Sequence, residues 1–283
     1  MTESQDLAPE APEGVDTDKP SAARMYDWYL GGTHNWAVDR EFGKQVVELF
    51  PQVRELARQN RQFLGRAVRA AMDAGIRQFL DLGSGVPTVG NVHEIVRKHL
   101  PEGERAGVVY VDYEPVAAAH GTLLLERDGA TDWAGLVQAD LRDTGAVLRH
   151  ETTRRLIDFS QPVCVLMIAV LHFIGGDDHP QEIVERYRRK LAPGSWLAIS
   201  HITSEGAPEE DAAAVRRFAD AYRNTSNPLW VRDKADIARW FGNWPLVEPG
   251  LVHPADWRPE TKLTPIEAIS RPFGWCGVAE NQA

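Results

Sequence analysis

The residues best placed to do chemistry begin at Phe79-Leu80-Asp81-Leu82-Gly83-Ser84-Gly85, an apolar run entering a turn with two glycines. Glycines there let the main chain approach a bound ligand closely, as in nucleotide crevices at the carboxyl ends of parallel strands. Alone, such a turn is equally compatible with a plain α/β connection. Two further apolar runs end in acids: Val111-Asp112-Tyr113-Glu114, with carboxylates 29 and 31 residues after Gly83, and Gln138-Ala139-Asp140-Leu141-Arg142. An acid at the second strand end is placed to accept from a ribose diol, and Asp140 to accept from an exocyclic adenine amine. Each acid taken singly also suits a helix N-cap. Three at successive strand ends point to a nucleoside.

The turn also limits which nucleoside. A dinucleotide turn reads Gly-x-Gly-x-x-Gly, but here Pro87 and Thr88 occupy the fifth and sixth positions counted from Gly83. There is no Gly-x-x-x-x-Gly-Lys loop, and no basic residue lies between Asp81 and Asn91 to neutralise phosphates. Asp81 suits a ligand with a cationic amino group. S-adenosylmethionine matches all three acids through its ribose, its adenine and its amino acid end.

These residues need a scaffold. Short apolar runs at Gln78–Leu82, Gly107–Val111, Ala134–Gln138, Val163–Val170 and Trp196–Ser200 alternate with helical stretches, predicting an α/β fold with a parallel sheet covered on both faces. Leu246–Val252 and Gly274–Val278 are expected to close it as an edge pair. The stretch Thr88–Leu100 reads as a helix, and Asp178-His179-Pro180-Gln181 as a helix start capped by Asp178. Upstream, a helix ends at Gly31, and an amphipathic helix from about Pro51 to Ala74 carries Val53, Leu56, Leu64, Ala67 and Val68 on one face. Arg54, Arg58, Arg61 and Arg69 form another face, read as solvated. Residues 1–20, rich in Pro, Ala, Glu and Asp, read as a disordered acidic leader.

Composition excludes several classes. With 43% hydrophobic and 25% charged residues, the 283-residue chain is an ordinary globular protein. Its apolar runs fall short of a membrane span. Of the net charge of −10, half sits in residues 1–19, and the remainder shows no preference for nucleic acid or a membrane surface. The acidic N-terminus lacks the features of a secretory signal, and Cys164 and Cys276 form no Cys-x-x-Cys pair. A cytoplasmic protein is expected.

The sequence resembles the class I S-adenosylmethionine-dependent methyltransferases and, more narrowly, the actinobacterial S-adenosyl methyltransferase family. The narrower likeness rests on Ala23-Arg24-Met25-Tyr26-Asp27-Trp28-Tyr29-Leu30-Gly31-Gly32 with Asn35-Trp36 and Asp39-Arg40, and on Asp81-Leu82-Gly83-Ser84-Gly85-Val86-Pro87-Thr88 with Asn91-Val92-His93-Glu94. Tyr110–Pro115, Gln138–Arg142, Ala169–Phe173 and Leu191–Ser195 extend it over the chain from about Ser21. The resemblance implies a Rossmann-like three-layer αβα sandwich, with a mostly parallel seven-stranded sheet, an antiparallel last strand and an N-terminal helical cap. It divides the chain into a cap of residues 21–75 and a methyltransferase domain of residues 76–283. It also implies S-adenosylmethionine over the first three strands, with Asp81, Gly83, Ser84 and Gly85 about the methionine part and Asp112 and Tyr113 at the ribose. Asp140 and Leu141 would meet the adenine, and Tyr26 and Asn35 would close the site from the cap.

A sulfonium methyl is already a good electrophile, so alignment matters more than activation. If the acceptor needs a base, His172 is the first candidate, since it follows the fourth strand at the same edge. A packing histidine beneath Phe173 is the plainer reading. His34 and His201 are candidates for lining an acceptor pocket, and His93 reads as a helix packing residue. No metal is expected, because the adjacent Asp177, Asp178 and His179 point in different directions. The expected partner is a small-molecule acceptor. The competing reading is a non-catalytic S-adenosylmethionine-binding regulator, in which Trp28, Trp36 or Phe173 would fill the acceptor space.

Overall fold

The computed structural model describes residues 18–282 apart from Val89, Asn224 and Ser226, so the acidic leader lies almost wholly outside the described residues. Three helices come first: α1 (Ala22–Tyr29), α2 (Ala37–Leu49) and α3 (Val53–Asp73). Alternation follows, with β1 (Gln78–Leu82), α4 (Val92–His99), β2 (Gly107–Asp112), α5 (Pro115–Arg127), β3 (Ala134–Gln138), α6 (Thr144–Arg149), α7 (Glu151–Leu156) and β4 (Cys164–Ile168). The chain continues through α8 (Pro180–Arg188), β5 (Trp196–Ile202), α9 (Glu209–Tyr222), α10 (Lys234–Trp240), α11 (Pro265–Ser270) and β6 (Gly274–Glu280).

The sheet runs β3-β2-β1-β4-β5-β6, with the first five strands parallel and β6 antiparallel to β5. It has six strands among the described residues rather than the expected seven. The Leu246–Val252 segment meets β6 only at two isolated bridges, Leu246 with Ala279 and Val252 with Cys276. Between them Pro249 has no N–H to offer, and Gly250, at φ +90°, turns back so that its N–H reaches Val247 O at 2.9 Å. A continuous ladder cannot pass through that turn.

Strand alternation sorts the side chains onto two faces. Leu80, Leu82, Val109, Val111, Val165 and Met167 pack with Val147, Ile183, Tyr187 and Ile237 from the α6–α8 and α10 side. Phe79, Val108, Tyr110, Leu166 and Ile168 pack with Phe63, Leu64, Ala67 and Val68 of α3 and with Val92 and Val96 of α4. Asp81 lies on the second face, two residues beyond Phe79, so the strand period turns it toward α3.

Two helix starts differ from the sequence expectation. Gly90, at φ +71°, breaks the chain before α4, which begins at Val92 behind the Asn91–Glu94 capping box rather than at Thr88. At α8, Pro180 is in the first turn, but Asp178 does not cap it. Its carboxylate instead accepts from Arg142 Nη1 at 2.7 Å.

Candidate functional site

In this strand order, β1 and β4 are neighbours whose onward connections run in opposite directions, and the crevice opens at their carboxyl ends. A cavity of about 480 Å³ occupies that crevice and continues beneath the α1 and α3 helices. Tyr26, Asp81, Gly83, Ser84, Gly85, Asp112, Tyr113, Asp140, Leu141 and His172 all line it. Asn35 does not. Its amide donates to Asp27 Oδ2 at 2.8 Å and to Gly32 O at 2.9 Å, which holds the Gly31-Gly32 turn together.

The turn after β1 is built by three contacts. Gly83 N and Ser84 N donate to Val111 O at 2.7 and 3.1 Å, and Gly85 N donates to Asp112 Oδ2 at 2.8 Å. Gly83, at φ +72°, lies against Val170, whose Cγ2 would stand 2.2 Å from a Cβ there. Gly85, at φ +68°, has nothing within 4 Å of the same position and faces open space. Gly83 is therefore required by its positive φ and by the Val170 side chain packed against it, whereas Gly85 leaves room for a ligand. Ser84 Oγ is buried with no hydrogen-bond partner among the described residues.

The acids differ in state. Burial pushes Asp81 up to about 7, against the pull of Arg61 and with a further push from Asp112. Burial likewise pushes Asp112 up to about 6, opposed by the N–H groups of Glu114 and Gly85. Asp112 Oδ1 accepts from Glu114 N at 2.9 Å, so both of its oxygens brace the loops beside the crevice. Burial raises Asp140 too, but its contacts with Arg142 outweigh that and hold its carboxyl below the usual range. Arg142 Nε lies 2.8 and 3.0 Å from the two Asp140 oxygens. Tyr113 is half exposed, and its hydroxyl accepts from the Asn227 amide.

Sequence reasoning missed Arg61. The face read as solvated is not one: among its four arginines only Arg58 is exposed. Arg54 stacks 4.1 Å over Trp28, and Arg69 pairs with Glu260. Arg61 lines the cavity with its Nε buried and without a hydrogen-bond partner among the described residues. The signal was present in the helical period, since Val53, Leu56, Ala57, Asn60, Arg61 and Leu64 form one stripe and all line the cavity. A buried guanidinium donor and the Asp81 carboxyl on one side of the crevice suit the carboxylate and amino group of an amino acid end. With the open space at Gly85 and the unpartnered Ser84 hydroxyl, the residues present fit S-adenosylmethionine.

His172 is buried in the short 3-10 turn Leu171–Phe173, its ring 4.4 Å from that of Phe173 and 5.4 Å from that of His201. Its Nδ1 has no hydrogen-bond partner. Burial, assisted by Arg232, pushes it down to about 3, so the ring is neutral. Arg232 clamps this turn by donating to Leu171 O at 3.1 Å and Ile174 O at 2.5 Å. Ala169, just beyond β4, adopts φ +53°, a conformation that non-glycine residues hold only where surroundings enforce it. Of the other histidines, His201 lines the cavity and His34 does not. His93 is wholly buried behind β2, bonding Tyr110 Oη at 2.7 Å.

A Rossmann-like sheet with an antiparallel last strand, a glycine turn after β1 and acids after β2 and β3 defines a class I S-adenosylmethionine-dependent methyltransferase. The chain belongs to the S-adenosyl methyltransferase family, whose description matches residues 8–282. It is similar to the structure of a protein from Thermobifida fusca assigned to the methyltransferases, with 38% identity, a TM-score of 0.86 and coverage of 96% of this chain and 98% of that one. It is also similar to a DUF574 family protein from Streptomyces avermitilis, with 34% identity, a TM-score of 0.84 and coverage of 94% and 99%. The mitomycin 7-O-methyltransferase MmcR shares the fold at 16% identity and a TM-score of 0.50, over 78% of this chain and 53% of that one. No curated protein matches the sequence. Among the described residues, no helix is long and apolar enough to cross a membrane.

Proposed function

We propose that the enzyme transfers the methyl group of S-adenosylmethionine directly to a small-molecule acceptor held beneath the helical cap. The observation that carries this reading is the continuity of one cavity from the β1–β3 strand ends to the space below α1 and α3. When bound, the cofactor supplies an electrophilic methyl group. The chain's own contribution is orientation and exclusion of water. Asp112 would take the ribose hydroxyls, Asp81 and Arg61 the amino and carboxylate groups, and Asp140, Leu141 and Tyr113 the adenine. Tyr26 would close the site from α1.

The acceptor space is not filled in the way a non-catalytic binder would need. Trp28 packs against Gly43 under Arg54, and Trp36 packs with Val86, Val116 and Ala117, so neither lines the cavity. Phe173 does line it, as a wall. Two buried free thiols, Cys164 and Cys276, support a cytoplasmic location.

Calorimetric titration with S-adenosylmethionine, S-adenosylhomocysteine and NAD tests the site. Binding of the first two without NAD is expected, and Asp112→Ala should weaken it by roughly 10- to 100-fold, the range for hydrogen bonds to a charged group. Unchanged affinity in that variant removes Asp112 from the site, and no binding of either adenosyl ligand overturns the reading.

A further inference from the structure

The cavity is divided by charge. Its charged lining residues lie at the β1–β3 strand ends and their loops, on Arg61, and on Asp178, which is tied to Arg142. The far end, over β4 and β5 and below α1, α3 and α9, is lined by Tyr29, Phe173, Phe218 and Tyr222, with no charged cavity-lining side chain among the described residues there, while Tyr26, 5.8 Å from the Arg61 guanidinium, stands at the boundary between the two ends. Phe173 and Tyr222 stack on each other, with ring centroids 6.1 Å apart and an interplanar angle of 29°, and form one aromatic wall.

Polar groups at this end are already committed to one another. Tyr29 Oη meets Tyr222 Oη at 3.2 Å. Tyr26 Oη donates to Ala57 O at 3.0 Å and accepts from Asn60 Nδ2 at 2.9 Å, while Ser200 Oγ donates to Asn60 Oδ1. His201 Nδ1 donates to Ile202 O at 2.7 Å, which leaves Nε2 to accept from Arg232 at 3.1 Å. His172 differs, since the residue is 8% exposed and its Nδ1 has no hydrogen-bond partner among the described residues.

We propose that the methyl acceptor is an uncharged molecule carrying a flat ring, seated against these aromatic side chains with its polar end toward the His172 ring. This rests on the cofactor site proposed above. A charged acceptor would lose its hydration without meeting a free counter-charge, whereas a flat ring finds aromatic faces to pack against. In the transfer, a lone pair on the acceptor's hydroxyl oxygen or ring nitrogen forms the bond to the methyl carbon. The carbon–sulfur pair stays on sulfur, giving the thioether, and the heteroatom's proton passes to water.

The test uses the full chain saturated with S-adenosylhomocysteine, titrated calorimetrically with three one-ring probes: 4-methylphenol, benzoate and benzylammonium. Binding of 4-methylphenol at least about tenfold tighter than either ion is expected. Leu56→Glu, which places a carboxylate at the far end, should shift the preference toward benzylammonium by a similar factor. Equal or tighter binding of an ion to the unaltered protein, or no binding of 4-methylphenol, overturns the proposal. Failure of S-adenosylhomocysteine itself to bind would instead overturn the cofactor reading beneath it.

Discussion

Asp81 sits in register with Tyr110 of β2 and Leu166 of β4, facing α3, where water cannot solvate its charge. Its folded pKa, about 7, lies above the unfolded value, so it stabilises the fold fully at pH values below the unfolded one and loses that contribution as pH rises through 7. Asp112 acts in the same direction through about pH 6. The melting temperature of the ligand-free protein should therefore carry a downward component from about pH 4 to 7 that levels off above pH 7, and Asp81→Asn should flatten it. An unaltered slope in that variant would show that Asp81 does not titrate there. A cationic amino group beside Asp81 favours its ionised form, so cofactor affinity should rise with pH across the same window, with proton release visible as buffer-dependent calorimetric heats. His172 has the opposite sign: its stabilising contribution is present above its unfolded value and is lost as pH falls toward 3. Such a ring is a weak proton acceptor at neutral pH. His172→Gln should thus raise the KM for the acceptor while retaining most of kcat. A loss in kcat of the ~100-fold or more expected of a general base would restore the base role.

The α1–α2 corner shows how several weak sequence signals act as one latch. Arg24, 1% exposed, donates to Asp39 Oδ2 at 2.8 Å and to Glu114 Oε1 at 3.3 Å, and Ser21 Oγ donates to the same Glu114 carboxylate at 2.8 Å. Glu114 follows Asp112, so this network ties the cap to the proposed ribose site. The Gly31-Gly32 pair belongs to the same corner, because a Cβ on Gly32 would stand 1.9 Å from Asp27 Oδ1. Removing one partner of a buried ion pair strands the others. Arg24→Met should cost roughly 3 kcal/mol or more in urea unfolding and should weaken cofactor binding. Arg58→Met, at an exposed pair with Glu55, should change stability by less than about 0.5 kcal/mol. Equal effects from the two would show that the latch is not structurally important.

Over the whole molecule, α3, which the sequence reading placed in a cap of residues 21–75, shares a core with the sheet of residues 76–283. Phe63, Leu64, Ala67, Val68 and Ala71 of α3 share one core with Phe79, Val108, Leu166 and Ala198 of the sheet. That helix is one layer of the sandwich, and its Asn60 side chain accepts from Ser200 of β5. Helices α1 and α2 pack with α9 and with the first turns of α3 through Met25, Tyr29, Val46, Val53, Ala57, Phe218 and Tyr222. A chain beginning at residue 76 would expose the α3 face of the sheet, and it should lack a cooperative thermal transition by circular dichroism. A cooperative transition at the full-length temperature would show that α3 is dispensable.

The strand positions, the glycine turn and the acids at the carboxyl ends of β1, β2 and β3 were legible in the sequence because each is a local matter: a two-residue alternation, a backbone needing positive φ, a polar residue at the end of an apolar run. What stayed hidden depends on partners distant in the chain. Arg61 looks like its neighbours on α3 until the helix is laid across β1, which places it over Asp81. Asn35 looks like a cavity residue until Asp27 and Gly32 are seen to hold its amide. The missing seventh strand and the neutral state of His172 have the same origin, one in a turn that breaks a ladder and the other in burial beneath the packed layers, assisted by a guanidinium brought in from residue 232. Periodicity and turn chemistry are written residue by residue, but electrostatic environment and cavity shape exist only once the layers are packed together.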